Sequence, residues 1–205
     1  MKLLLFSDVH VNQRACERLW QLSRQVDLVV GAGDFGAVRR GINKTINWLS
    51  NIEKPAILVP GNAESFEELQ NACTHWPYAV VLHGNQTEIN GITFFGIGGG
   101  IPITPFGSWS YDFSEEQSLE LLKDCPEHCV LVSHSPPYGL LDLSSGGKHL
   151  GSMSIRSIVE KKSPLLVVCG HIHESAAKIT RFRQTDIVNA GPGGVIYHLN
   201  ISHQT

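Results

Sequence analysis

The sequence predicts an α/β fold, a sandwich of two β-sheets packed face to face with helices outside, over residues 1–205 as a single domain. Three observations predict it. Short apolar runs alternate with segments of helical periodicity. Closely spaced strands cluster in the middle of the chain and again near its C-terminal end, enough for a second sheet. Five of the apolar runs are followed at once by residues of metal-ligand type, and in α/β sheets ligands collect beyond the carboxyl ends of strands.

The elements follow in order. Lys2–Phe6 reads as a buried strand, and Gln13–Gln25 as a helix with Leu19, Trp20 and Leu22 on one face. Leu28–Val30 is the second strand. Ile42, Ile46 and Leu49 mark a helix over Ile42–Leu49. Ala56–Val59 is the third strand, and Ser65-x-x-Glu68 is a capping box opening a helix to Cys73. Ala79–Leu82, Gln86–Ile89 and Ile92–Gly96 are strands, the last two joined by an Asn90-Gly91 hairpin turn. The Gly/Pro-rich stretch from Gly98 to Gly107 is a loop. Ser114-x-x-Gln117 opens a helix to about Lys123, Val130–Ser133 is a strand, and Ser135–Gly151 is a long loop. Ser152–Lys162 is a helix and Leu165–Cys169 a strand. Ala176–Thr180, Asp186–Asn189 and Val195–Ile201 complete the strands.

Composition narrows the function classes. A formal net charge of -3 gives no basic footprint, which excludes tight binding of long nucleic acid through phosphate neutralisation. No run approaches the length of a membrane span, and the apolar N-terminus is interrupted at once by Asp8 and His10, unlike a signal peptide. The five cysteines form no CxxC pair and read as free thiols of a reducing cytosol, so the expected location is cytoplasmic. Cys125-x-x-x-Cys129 alone is a weak zinc signal.

The ligand-type residues stand in five clusters: Asp8 and His10, Asp34 after Gly33, Asn62 after Gly61, His134 after Ser133, and His171 with His173 after Gly170. At a strand end, residues two apart point to the same face. Each cluster alone reads more simply as a turn or a surface histidine. All five together offer oxygen and nitrogen donors for two divalent cations around one shared carboxylate, which points to hydrolysis at phosphorus.

The order Asp-x-His, Gly-Asp, Gly-Asn, His, Gly-His-x-His resembles the calcineurin-like metallophosphoesterase family, from Ser7 to about Pro192. The resemblance implies a two-sheet sandwich with a dinuclear metal site at the carboxyl ends of the strands. It assigns Asp8, His10, Asp34 and His173 to one metal and Asp34, Asn62, His134 and His171 to the other, with Asp34 bridging. It implies a phosphoesterase acting through a hydroxide held between the metals, with Asp34, Asn62 and His134 at its catalytic centre. Such mixed donors suit manganese, the favoured ion, and also iron, zinc or cobalt. A phosphodiesterase of a small phosphoester, with nucleotides among the candidate substrates, is the favoured reading. Sequence leaves the oligomeric state open.

One position departs from the family pattern. Many members carry a histidine after Gly-Asn, thought to protonate the leaving oxygen, whereas this chain has Gly61-Asn62-Ala63-Glu64. General acid catalysis is typically worth about 10²–10⁴-fold. The departure favours good leaving groups, and it supports an alternative reading: a metal-binding scaffold or interaction module with little turnover. His149, in the Gly146-Gly147-Lys148-His149 loop, is a candidate phosphate contact, and its alternative is a solvated loop. Phe106 and Trp109 are expected in a cleft wall with the Gly98–Gly100 run, available to stack on a base or aryl group. Glu64 is expected either behind a ligand histidine or as a carboxylate favoured at a helix N-terminus.

Overall fold

The computed structural model describes residues 1–200. Four strands near the N-terminus, β1 (Lys2–Phe6), β2 (Leu28–Ala32), β3 (Ala56–Val59) and β4 (Ala79–Val81), run parallel, and β11 (Val195–His198) lies antiparallel against β1. The five form one sheet in the order β11-β1-β2-β3-β4. The second sheet has six strands in the order β5-β6-β7-β8-β10-β9, from β5 (Asn85–Ile89), β6 (Ile92–Ile97), β7 (Val130–Ser133), β8 (Leu166–Cys169), β9 (Lys178–Phe182) and β10 (Thr185–Asn189). Here β6, β7, β8 and β10 are parallel, and the two edge strands are antiparallel to their neighbours.

The central strands are apolar on both faces because both faces are covered. Leu3, Leu5, Val30 and Val59 of the first sheet meet Phe94, Val132, Val168 and Val188 of the second, forming the layer between the sheets. The alternate residues Leu4, Phe6, Val29 and Leu58 face Leu19, Ile46, Leu49 and Leu69 of helices α1 (Gln13–Ser23), α2 (Ile42–Leu49) and α3 (Phe66–Ala72). On the far side, Phe95, Leu131, Val167 and Ile187 pack with Leu122, Ile155 and Val159, beneath α4 (Glu115–Leu121) and α5 (Met153–Lys162). Burying a Leu or Val side chain contributes about 1.5–3 kcal/mol, so this helix/sheet/sheet/helix stack holds the strand ends firmly.

Each expected element is present, with shifted boundaries. Ser65, Ser114 and Ser152 are the N-caps of α3, α4 and α5, and the first two close capping boxes with Glu68 and Gln117. β2 runs on to Ala32 and β6 to Ile97, because each continues to pair with a parallel neighbour. β9 lies two residues later than expected, since its register with β10 is set by a two-residue turn at Arg183-Gln184 that carries no glycine. β11 ends at His198, and Ile201, the expected end of that strand, lies outside the described residues. Among the described residues no helix is long and apolar enough to cross a membrane. The five cysteines are free and buried, and the Cys125 and Cys129 sulfurs lie 3.8 Å apart.

Candidate metal centre

The carboxyl ends of β1, β2 and β3 in one sheet and of β7 and β8 in the other open at the same edge of the sandwich. The loops after them are tied by backbone bonds from Asp8 N–H to the Gly33 carbonyl (2.9 Å), from His10 N–H to the Asp34 carbonyl (3.0 Å) and from Gly170 N–H to the His134 carbonyl (3.0 Å). The glycines before the ligand-type residues are there for closeness. A Cβ on Gly61 would lie 2.0 Å from Asp34 Oδ1, and one on Gly33, at φ 90°, would lie 2.6 Å from Gly61 Cα and from His134 Nδ1. Four of the ligand-type residues hold left-handed backbone: Asp8 (φ 55°), His10 (45°), Asp34 (59°) and His171 (65°).

All seven side chains converge. Asp34 lies between two histidines: its Oδ2 is 3.5 Å from His10 Nε2, and its Oδ1 is 3.5 Å from His134 Nε2. Asp8 Oδ1 is 3.6 Å from His173 Nε2, His10 and His173 bring their Nε2 atoms to 3.3 Å, and Asn62 Oδ1 is 3.2 Å from His134 Nε2. The His134 and His171 rings meet edge to face at 4.9 Å. Two sets, Asp8 with His10 and His173, and Asp8 with Asp34 and His134, have donor atoms all within 4.8 Å of one another.

These separations fit divalent cations. Donors each about 2.1 Å from one ion sit about 3.0–3.5 Å apart across its coordination angles. Histidine tautomers agree. The His134 Nδ1–H donates to the Ala32 carbonyl (2.8 Å) and the His10 Nδ1–H to the Gly36 carbonyl (3.0 Å). Each Nε2 is thereby left with its lone pair facing the cluster. Asn62 donates its amide N–H to Ser110 Oγ (3.0 Å), which in turn donates to Asp112 Oδ1 (2.8 Å), so the Asn62 oxygen is the atom turned inward.

The electrostatics follow from crowding. Burial raises the Asp8 carboxyl, but the His173 hydrogen bond, the His134 charge and the Ser7 hydroxyl outweigh it and hold it down at about 2. Burial, and then the neighbouring His134, push His171 down to about 3, which keeps its imidazole neutral. His134 is buried too, yet the charges of Asp34 and Asp8 carry it upward, and the hydrogen bond to Asp8 raises His173. Deprotonated carboxylates and neutral imidazoles are the forms that bind cations, so Asp8 and His171 stand ready, whereas His134 and His173 would give up any proton they hold when a cation binds.

An open cleft of about 380 Å³ lies over the cluster. Phe106 and Trp109 line it, stacked on each other at 5.5 Å, and Ala63 lines it beside Asn62. The Gly98–Gly100 run does not. Gly98 packs against Pro60, where a Cβ would come within 2.3 Å of the carbonyl, and Gly98 N–H donates to His83 Nδ1 (3.1 Å). His149 is not among the cleft-lining residues either. Its Nδ1 is 2.7 Å from the buried Asp142 carboxylate, which also accepts from the N–H groups of Gly139 and Gly151 and so shapes the long loop.

Two residues do more than the sequence suggests. Glu64 is fully buried and accepts from four backbone N–H groups, those of Asp34 (2.8 Å), Phe35 (3.2 Å), Gly36 (2.8 Å) and Gly61 (2.7 Å). It therefore clamps the Asp34 loop to the Asn62 loop, rather than backing a histidine or stabilising a helix end. Burial and then the Asp34 charge push its carboxyl up to about 7, against the pull of the Gly36 and Gly61 N–H groups. Asn189, at the end of β10, donates both amide hydrogens, to the carbonyls of Gly170 and Ile172 (3.0 Å each), and braces the turn that presents His171 and His173. Sequence offered only a carboxylate two residues after Asn62 and an asparagine at a strand end.

Glu64→Gln should be costly, because an amide turns an NH₂ toward at least one of those N–H donors. We expect a loss of about 2–4 kcal/mol, a melting temperature lower by roughly 5–12 °C, and weaker metal binding. A thermal melt with and without Mn²⁺ measures both; an unchanged melting temperature would show that the clamp does not hold the loops.

Comparison with known proteins places the chain. A family model described as calcineurin-like phosphoesterase matches residues 1–175. The UPF0046 protein K07C11.7 of Caenorhabditis elegans is 31% identical over 125 residues, 60% of this chain and 40% of that protein. UPF0046 protein T07D4.2 of the same organism is 33% identical over 100 residues, 47% of this chain and 24% of the other. The matches thus span well under half the length of these relatives. Among solved structures, TT1561 of Thermus thermophilus superposes with TM-score 0.73 at 20% identity, covering 94% of this chain and 90% of that one. A dimetal phosphatase from Danio rerio superposes with TM-score 0.64 at 13% identity, covering 94% and 88%. At these identities the structural likeness speaks for the fold.

Proposed function

The chain belongs to the calcineurin-like phosphoesterase family, and we propose that it is a two-metal phosphodiesterase selective for substrates with good leaving groups. The observation that carries this reading is the convergence of seven donor side chains from five strand ends, with Asp34 between His10 and His134. Asp8, His10, Asp34 and His173 would hold one divalent cation, and Asp34, Asn62, His134 and His171 the other, with manganese favoured and iron, zinc or cobalt also suited to the donors. When bound, such a pair supplies Lewis acidity at the phosphoryl oxygens and makes water nucleophilic near neutral pH.

The protein's own residues set the rest of the chemistry. The carbonyls of Ala32 and Gly36 fix the tautomers of His134 and His10, and Ser110 fixes the Asn62 amide. Ala63 stands in the cleft wall beside Asn62 and has no proton to give. The departing oxygen must therefore be stable as an anion, which favours diesters of acidic alcohols over alkyl monoesters. Phe106 and Trp109 form an aromatic wall for the substrate's organic group. We place the protein in the cytoplasm, where its five free cysteines stay reduced.

Metal content tests the reading. After reconstitution with Mn²⁺, elemental analysis should give a ratio near two per chain, and the loaded protein should turn over aryl phosphodiesters ahead of alkyl phosphomonoesters. A ratio that stays below one with all seven ligands intact would remove the dinuclear mechanism.

A further inference from the structure

We infer that the cleft selects phosphodiesters in which the alcohol retained on phosphorus is a hydrocarbon, alkyl or aryl without polar substituents, with an apolar collar holding that group. The inference rests on the phosphodiesterase reading above and names its substrate class. Beyond the ligand residues, most of the cleft lining is apolar, Val38, Ala63, Phe106, Trp109, Leu150 and Ile172 among it, with Ser144 and Glu174 as its polar members. Three of these are exposed although large and apolar: Val38 (55%), Phe106 (49%) and Leu150 (44%). They come from three separate loops, those after β2, after β6 and after β7, and converge over the one cluster of ligand-type side chains. Scattered exposed apolar residues need no explanation, but a set converging on a cleft does.

Val38 supplies an independent observation. Ala37 and Arg40 exchange both backbone hydrogen bonds (2.9 and 3.0 Å), with Val38 at φ 48° and Arg39 at φ 61° between them. Positive φ at both central positions defines a type I′ turn, which prefers Asn-Gly and strongly disfavours a β-branched residue. Strained residues of this kind cluster at ligand clamps. Here the strained side chain is the one that lines the cleft.

Charge points the same way. No lysine or arginine lines the cleft among the described residues, and Arg39, next to Val38, turns away to Glu68 at 3.0 Å. Glu174, the one acidic residue of the lining outside the ligand set, would repel a further anionic group. A nucleoside polyphosphate or a second carboxylate therefore has no partner in this cleft, whereas a hydrocarbon has three loops to lie against.

The test uses the Mn²⁺-loaded full chain and the probes methyl-, butyl- and octylphosphonate, with Kd read by calorimetry. Turnover of octyl 4-nitrophenyl phosphate is compared with that of thymidine 5′-(4-nitrophenyl) phosphate, which shares the leaving group. The expected result is a Kd that tightens by roughly two- to threefold per methylene over the first carbons, together with a higher kcat/KM for the octyl diester. In the double variant Val38→Asn, Leu150→Gln, with both changes at exposed positions and asparagine tolerant of positive φ, the dependence on chain length should flatten. A flat series in the wild type, or an unchanged slope in the double variant, overturns the collar even if aryl diesters are hydrolysed. Chain-length-dependent binding that the double variant flattens, with no turnover of any ester, supports the collar and refutes the phosphodiesterase reading instead.

Discussion

Asp34→Asn should remove catalysis while leaving the fold intact. The substitution is isosteric. Its amide oxygen can keep the bond from Ala63 N–H (2.9 Å), and its NH₂ can face His10 Nε2, now 3.5 Å from the carboxylate. Asparagine also tolerates left-handed backbone such as the φ of 59° found here. What disappears is the negative charge that lies between His10 and His134, where the two proposed cations would share it. We expect kcat/KM for an aryl diester to fall by about 10³-fold or more, ~4 kcal/mol of transition-state stabilisation, and the Mn²⁺ ratio to drop below that of the wild type. Steady-state kinetics, metal analysis and a thermal melt on the same preparation separate lost chemistry from lost structure. Wild-type turnover in this variant would show that Asp34 does not bridge two working metals.

Ala63→His should alter selectivity more than overall rate. Ala63 lies in the cleft wall beside Asn62, so a histidine there would stand next to the ligand cluster. An aryl diester departs as a stable phenolate and gains little from a proton donor, whereas an alkyl ester departs as a basic alkoxide and gains much. We expect turnover of alkyl esters to rise about 10–100-fold, ~1.4 kcal/mol off the barrier per tenfold, with aryl esters nearly unchanged. A leaving-group series measured on both proteins should be steep for the wild type and shallower for the variant. Equal slopes would mean that the proton already comes from elsewhere. His149 would have to leave Asp142, 2.7 Å away, to provide it. No turnover by either protein, with two metals bound, would move the balance to a metal-binding scaffold.

The layers of the sandwich and the five loops that converge were legible in the sequence, because both depend on local pattern. Short runs such as Leu3-Leu4-Leu5 and Val130-Leu131-Val132 suit strands buried on two faces, and Asp34, Asn62, His134 and His171 follow soon after such runs. Strand registers were less legible where a turn lacked its usual residues, as at Arg183-Gln184. Of the supporting groups, only Glu64 stood out in the sequence, and its partners did not. Glu64 acts on N–H groups about 30 residues earlier, Asn189 on carbonyls 17 and 19 residues earlier, and Ser110 on an amide 48 residues earlier. Those partners are set by how loops meet in space. Val38 carries no sequence signal, because nothing in Ala37-Val38-Arg39-Arg40 suggests a type I′ turn, and only the backbone angles reveal it.

The left-handed backbone at Asp8, His10, Asp34 and His171 has a consequence for the lineage of this fold. Each such residue holds an unfavourable conformation, worth about 1 kcal/mol or more, so the chain keeps these side chains against its own stability. Binding of the proposed cations would offset that cost. In a copy that no longer needed cations, asparagine at these four positions would relieve the backbone strain while its amide oxygen could keep the bonds that Asp8 accepts from His171 N–H and Asp34 from Ala63 N–H. A descendant that had become a pure scaffold should therefore carry asparagine first at the positively twisted ligand positions, while Asn62, His134 and His173, which are not twisted, persist longer as relics.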